Sequence, residues 1–427
     1  MSYPTVLVLD GNSRAGLAVA RSLGRQNCRV ITAAEKHPSL ASCSRFSSGW
    51  FKYPDPYAGS AAFIESVFNA VRTVRADILM PAAELSTLLV AKNKERFEGY
   101  CRVPLPAYGP ASRAADKGHV LKLAESLGIP VPETKILTAP PGSGDLEDLL
   151  QASSYPLVVK PCRSCVRIDG GSAWRKARVR YAGGPAELDS VLKQAAAQNE
   201  YPLLLQEKVR GEGVGVFLLL VRGRPAAVFS HRRLREKPPS GGVSVLRESI
   251  APDPGLLDHS IRLMRALDWE GVAMVEFKKD EAAGGFKLME VNGRFWGSLQ
   301  LAINAGVDFP ALLAKTAMGM NIEPVTKYRV GARLRWLWGD VDSLISVLKA
   351  KPAAGAGDPA GAAAGHAPAL GPAKAASGPA GVPAAAKFKA VMDFLKCSGR
   401  DLKYEVYDRE DPKPWLHETK EWLMGRT

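Results

Sequence analysis

No run of apolar residues in this chain approaches the roughly 20 needed to cross a bilayer; the most apolar stretch is VFLLLV at Val216 to Val221. Nor does the N-terminus, MSYPTVLVLDGNS, place basic residues ahead of its apolar ones; it reaches Asp10 too early for a secretory signal. These absences exclude a membrane-spanning helix and lead us to expect a cytoplasmic protein. Cysteine is sparse: six residues scattered over 427 cannot frame a small disulfide scaffold, and a reducing compartment is the simpler reading. Only Cys162 and Cys165 form a C-x-x-C, and no second pair or histidine cluster has zinc spacing. Acidic residues are also in deficit, 43 against 57 Lys plus Arg, which leaves a net charge of +14 and implies an anionic partner. The surplus lies largely in Lys160 to Arg180 and Arg222 to Lys237. Neither stretch has the interleaved aromatics of a base-stacking surface, so nucleotide phosphates and acidic metabolites are better candidates than nucleic acid.

What is present is an alternation. VLVLD, Gly16 to Leu23, CRVITAA, Ala61 to Val74, ADILMPA and Leu85 to Phe97 read as strand, helix, strand, helix, strand, helix, which implies a parallel sheet covered by helices. VLVLDGNSRAG looks like the opening of a dinucleotide fold, with Glu35 where a ribose-binding acid would lie. Gly11 and Gly16 nevertheless do not make G-x-G-x-x-G, and a tight strand-to-helix turn without cofactor is the better reading. A helix from Ala114 to Leu127 stops at Gly128 and IPVPET. Beyond it YPLVVKP, with ARVRYAG as its returning strand, LLLQEKV, GVFLLLV and RPAAVFSHRR supply strands, Pro254 to Leu267 is helical, and WEGVAMVEFKK pairs with GFKLMEVNGRF through the turn DEAAGG. Gly170-Gly171 reads as a turn. Residues 351–386, almost entirely Ala, Gly and Pro, have too little apolar bulk for a core and are expected to form a flexible insert.

The chemistry concentrates in the last strand pair. Positions two apart on a strand share a face, so Glu290, Asn292 and Arg294 project together, and a hairpin brings Glu276 alongside. Two carboxylates and an amide oxygen suit magnesium; the arginine suits a phosphoryl group in transfer.

With its companions, this set resembles the ATP-grasp superfamily, and more narrowly its carboxylate-amine ligases, D-aspartate-ligase-like members included. The resemblance runs from about Val6 to Trp338, motifs in order. VEF…MEVNGRFWGS is similar to the family's metal-binding strands, which makes Glu276, Glu290 and Asn292 the expected ligands of Mg2+ or Mn2+. PLVVKP resembles the strand whose lysine, here Lys160, contacts nucleotide phosphates, and Asp116-Lys117 resembles the entry to the nucleotide module. LLLQEKVRGEGVGVFLLL is similar to the hinge, where Gln206, Glu207, Lys208 and Val209 would meet adenine and Glu212 the ribose. HRRLREKPPSGG, with Arg232, Arg233 and Arg235, is similar to the segment lining the acceptor site. The loop from Cys162 to Lys176 is longer and richer in arginine than the family's glycine loop.

The resemblance implies an α/β (α+β) ATP-grasp fold. Residues 1–108 would form an N-terminal Rossmann-like domain, 109–330 the two-lobed grasp domain, 331–350 the start of a C-terminal module, 351–386 the insert and 387–427 the closing segment. It implies a ligase that binds ATP, activates a small carboxylate as an acyl phosphate and passes it to an amine, with Arg294, Lys160, Arg233 and Arg235 as catalytic groups. The oligomeric state is not legible in the sequence, a homodimer being simply a common closed assembly. Three alternatives stay open: a biotin-carboxylase-like or purine-pathway enzyme using bicarbonate or formate, a nucleotide-binding protein without turnover, and a nucleic-acid binder.

Overall fold

The computed structural model describes residues 3–168, 173–239, 241–350, 383–397, 399 and 401–426; Gly170-Gly171 and most of the expected insert, 351–382, lie outside them. The N-terminal alternation folds as read. Strands Thr5–Val8, Arg29–Ala34 and Ile78–Met80, with the short Gly49–Lys52 at one edge, make a parallel four-stranded sheet in the order 49–52, 29–34, 5–8, 78–80. Both faces are covered, as a parallel sheet requires. Val6 and Val8 pack with Leu17 and Leu23 of helix Arg14–Arg25 on one side, and Leu7 and Leu9 with Phe63 and Val67 of helix Ser60–Val74 on the other. The edge strand escaped the sequence reading because GWFK is only partly buried and has no apolar run.

In the first turn Asp10 takes a positive φ of 60° and its Oδ2 accepts from the amides of Ala82 and Ala83 and from Ser86 Oγ, so its carboxylate caps the start of helix Glu84–Lys92. Gly16 belongs to the same turn: a Cβ there would stand 2.5 Å from the Asp10 carbonyl oxygen.

Two further sheets face each other across a cleft. The smaller has the order Thr134–Leu137, Leu203–Glu207, Leu157–Pro161, Arg180–Ala182, antiparallel throughout, with helices Ser143–Ala152 and Pro185–Ala197 on its outer side. ARVRYAG is thus the returning strand of YPLVVKP. The larger runs Phe286–Asn292, Gly271–Lys279, Gly213–Val221, Arg224–Lys237, Val243–Ser249, Arg333–Arg335, Leu402–Tyr404. One face of its central strands, Val216, Leu218, Val275 and Phe277, packs on helix Pro254–Ala266.

The C-terminal residues complete this sheet instead of standing apart. Leu402–Tyr404 pairs in parallel with Arg333–Arg335, and helices Leu337–Lys349 and Ala384–Leu395 pack on each other. The second helix begins inside the stretch expected to be insert, at Ala384, because three successive alanines are strong helix formers. Among the described residues no helix is long and apolar enough to cross a membrane.

Candidate functional site

The cleft between the two antiparallel sheets holds a cavity of about 450 Å³. Its floor is the strand pair that the sequence singled out. Met274, Glu276 and Lys278 alternate along Gly271–Lys279 and all reach the cavity, while Val275 and Phe277 point into the core. Glu276 stands directly opposite Glu290 in the ladder. Immediately after it the register slips, Phe277 pairing with Leu288, so that Met289 is an extra residue. This bulge lets Met289 and Glu290 line the cavity together, which strict alternation forbids. Asn292, which ends the strand, and Arg294 just beyond it line the cavity too. Gly293 between them is obligatory, since a Cβ would stand 2.2 Å from the Trp269 ring.

Cations surround the carboxylates. Lys117 opens helix Lys117–Ser126, which Asp116 caps by accepting from the His119 amide; its Nζ lies 3.5 Å from Glu290 and donates to Ser164 Oγ at 2.7 Å. Lys160 projects from Leu157–Pro161 and is 8 % exposed. Burial pushes its ammonium down to about 8, with Glu290 opposing the shift. Arg233 reaches Glu276 at 2.5 Å and Glu236 at 2.9 Å. Glu276 is pushed up to about 7 by burial, against the pull of Arg233. Burial acts on Glu290 in the same sense, but Lys117 and Lys160 outweigh it and hold this carboxyl well below its usual range. Burial raises both facing carboxyls and the surrounding cations draw them back, so the two titrate as a pair.

At the opposite end Gln206, Glu207, Lys208 and Val209 form the wall where Leu203–Glu207 leaves the sheet, with Val158, Tyr181 and Met289 adding apolar surface. The Gln206 amide is buried, donates to Thr134 Oγ1 and leaves Oε1 without a partner. Glu207 turns its carboxylate away, to the Glu133 amide and to Lys287, so its backbone is what faces the cavity end.

Most of the predicted residues thus meet in one cavity: Lys117, Lys160, Gln206, Glu207, Lys208, Val209, Arg233, Glu276, Glu290, Asn292 and Arg294. Glu212 and Arg235 do not. They border a neighbouring hollow, with Arg235 gripping Asp340 at 2.6 Å and Glu212 3.7 Å from Arg232. For Arg235 the cause is a second bulge. Arg233 pairs with Arg247 but Arg235 with Leu246, so Leu234 is extra and Arg235 is turned toward helix Leu337–Lys349. Arg232 likewise faces outward, onto Glu248. Residues that the sequence reading missed take their place: His231, Arg247, Trp296 and Ser298. His231, Trp296 and Ser298 lay within the motifs HRRLREKPPSGG and MEVNGRFWGS, whereas Arg247 becomes a cavity residue only by strand pairing. A larger hollow of about 540 Å³ behind Cys162 and Cys165 contains none of the predicted site residues.

The donors present fit magnesium. Glu276, Glu290 and the Asn292 amide are hard oxygen donors on one surface, and Asn292 is already drawn toward Glu290 through Nδ2 at 3.0 Å. Among the described residues no cluster of three or more His, Cys, Asp or Glu side chains is placed to hold a metal ion. A magnesium here would therefore complete its shell with phosphate oxygens and water, its usual habit at nucleotide sites.

Residues 199–339, the stretch that carries the hinge and both carboxylates, match a family described as ATP-grasp in the biosynthetic pathway with Ter operon. Among solved structures the chain resembles the L-amino acid ligase from Bacillus licheniformis (TM-score 0.58, 16 % identity, 74 % of this chain and 75 % of that one). It also resembles the N5-carboxyaminoimidazole synthetase from Staphylococcus aureus (0.59, 13 %, 78 % and 82 %). A third is the biotin carboxylase domain of the Hydrogenobacter thermophilus 2-oxoglutarate carboxylase, in complex with MgADP, ADP and bicarbonate (0.58, 14 %, 78 % and 74 %). At these identities the likeness is one of fold.

Proposed function

We propose, from the match of residues 199–339 to an ATP-grasp family and from the likeness of fold, that the chain is an ATP-dependent ligase that activates a small-molecule carboxylate as an acyl phosphate and transfers it to an amine. The observation that carries this reading is the pairing of Glu276 with Glu290 across adjacent strands, in a cavity that also holds Lys117, Lys160, Arg233 and Arg294. A protein that merely bound a nucleotide has little use for both half-buried carboxylates. Desolvating two like charges side by side costs stability unless a cation repays it.

The adenine ring lies against Val158, Tyr181 and Met289, and the Gln206–Val209 wall hydrogen-bonds its edge. Lys117 and Lys160 bind the phosphates. Magnesium or manganese on Glu276, Glu290 and Asn292 would neutralise phosphate charge and orient the γ-phosphoryl group. Arg294, beside Asn292, holds the substrate carboxylate in line with that phosphorus. A carboxylate oxygen attacks, the bond to the bridging oxygen breaks and ADP is the leaving group. The amine nitrogen then adds to the carbonyl carbon, and phosphate departs with the electron pair of the broken C–O bond. Arg233 and Arg294 stabilise the oxyanion of that addition. Glu212 and Arg235, which lie outside the cavity, have no part in these steps.

The test is ADP release from purified protein with Mg-ATP and pooled amino and hydroxy acids, hydroxylamine being present to trap acyl phosphate. A hydroxamate formed together with ADP supports the reading. With that pool, Glu290→Ala is expected to lower ADP release by at least about 100-fold while the circular dichroism spectrum is unchanged; near-normal turnover would refute the role given to Glu290.

A further inference from the structure

Charge and hydrogen-bond accounting at the far end of the cavity narrows the acid, on the premise that the ligase reading holds. Three arginines line this end, and their partners differ. Arg233 is held by two carboxylates, Glu236 and Glu276. Arg247, almost fully buried, is held at 2.9 Å by Glu405, a carboxylate from the C-terminal segment. Glu405 also takes Arg14, which stacks 3.5 Å above Trp336 outside the cavity lining. Arg294 alone of the three has no carboxylate in reach among the described residues: its guanidinium donates to the Phe295 carbonyl and Asn292 Oδ1, and its Nε is buried without a partner. The basic segment around Arg232 to Arg235 thus offers an incoming anion far less charge than its composition implies.

Neutral polar groups gather beside Arg294. Ser298 Oγ lies 2.8 Å from His231 Nε2. The His231 ring and Trp296 both pack on Phe217, with centroids 4.7 and 4.4 Å away. Trp296 lines the cavity and its Nε1 is buried without a hydrogen-bond partner, a costly arrangement unless a ligand supplies one. The surroundings are hostile to another cation, since burial and the nearby Arg233 and Arg247 hold the His231 imidazole well below its ordinary range.

We propose that the activated acid carries one carboxylate, held by Arg294, and next to it a neutral hydroxyl read by Trp296 and by Ser298, which His231 positions: a small hydroxy monocarboxylic acid. A second carboxylate would compete for Arg233 and Arg247 with the carboxylates that already hold them. The ammonium of an amino acid would sit beside the buried arginines.

The experiment is calorimetric titration of the full chain, saturated with ADP and magnesium, with lactate, glycerate, propionate, malate and alanine. Lactate or glycerate is expected to bind at least 10-fold more tightly than the other three. Trp296→Phe and Ser298→Ala are each expected to bring the hydroxy acid within about 3-fold of propionate, and ADP affinity in both variants checks that the fold survives. Malate or alanine binding as tightly as the hydroxy acids, no preference over propionate, or no acid binding to the ADP-loaded protein would each overturn the inference. If ADP itself fails to bind, it is the nucleotide reading that fails, and the substrate inference falls with it.

Discussion

At the scale of single residues, the site depends on two half-buried carboxylates held among cations. Glu276 and Glu290 were legible because their strands announce themselves by alternation, and residues opposite in a hairpin must touch. Glu418 shows the same physics away from the site. It is buried, accepts from Trp336 Nε1 at 2.9 Å, and faces Arg14, Arg21 and Glu405; burial pushes its carboxyl up to about 7. Its folded value therefore exceeds the ordinary value of an unfolded chain. The stability it contributes is complete below about pH 4.5 and is lost as pH rises through about 7, at most about 3 kcal/mol. Thermal unfolding of Glu418→Gln from pH 5 to 8 should show a flatter pH dependence than the wild type. An identical slope would mean that Glu418 is ionised in the fold.

At the scale of elements, the two bulges decide which side chains reach the cavity. The one at Met289 adds an apolar wall without moving Glu290, and the one at Leu234 removes Arg235 from the group formed by Arg233 and Glu236. A sequence read with period two assigns Arg233 and Arg235 to one face; an extra residue reverses that assignment and leaves no mark in composition. The turn Asn292-Gly293-Arg294 is constrained by packing on Trp269. Gly293→Ala should force that ring aside, lower stability by about 1–3 kcal/mol in urea titration, and weaken ADP binding in magnesium by displacing Asn292. Unchanged stability would show that Trp269 moves freely.

At the scale of the whole molecule, the C-terminal segment ties the N-terminal sheet to the cleft. Asp411 is buried against Arg21 at 2.9 Å and accepts from Ser44 Oγ and the Arg45 amide, while Glu405 a few residues earlier joins Arg14 to the cavity residue Arg247. Asp411→Ala leaves the Arg21 guanidinium buried beside backbone carbonyls alone and should cost about 3–5 kcal/mol, read as a shift of the urea midpoint. Asp408→Ala, whose partner Arg25 is partly exposed, should cost less than about 1 kcal/mol. Equal losses would mean that burial at Asp411 is not what matters.

The N-terminal parallel sheet, the antiparallel pairs of the cleft, the two facing carboxylates and the hinge wall are determined by the sequence, because hydrophobic period and turn residues act over short stretches. What only the tertiary structure decided is the far end of the cavity. Arg247 enters it by cross-strand pairing, Glu405 reaches it from 158 positions further along the chain, and Arg235 leaves it through a bulge. Those placements arise from long-range pairing and from the burial of charge on charge. Both depend on contacts that local sequence does not encode.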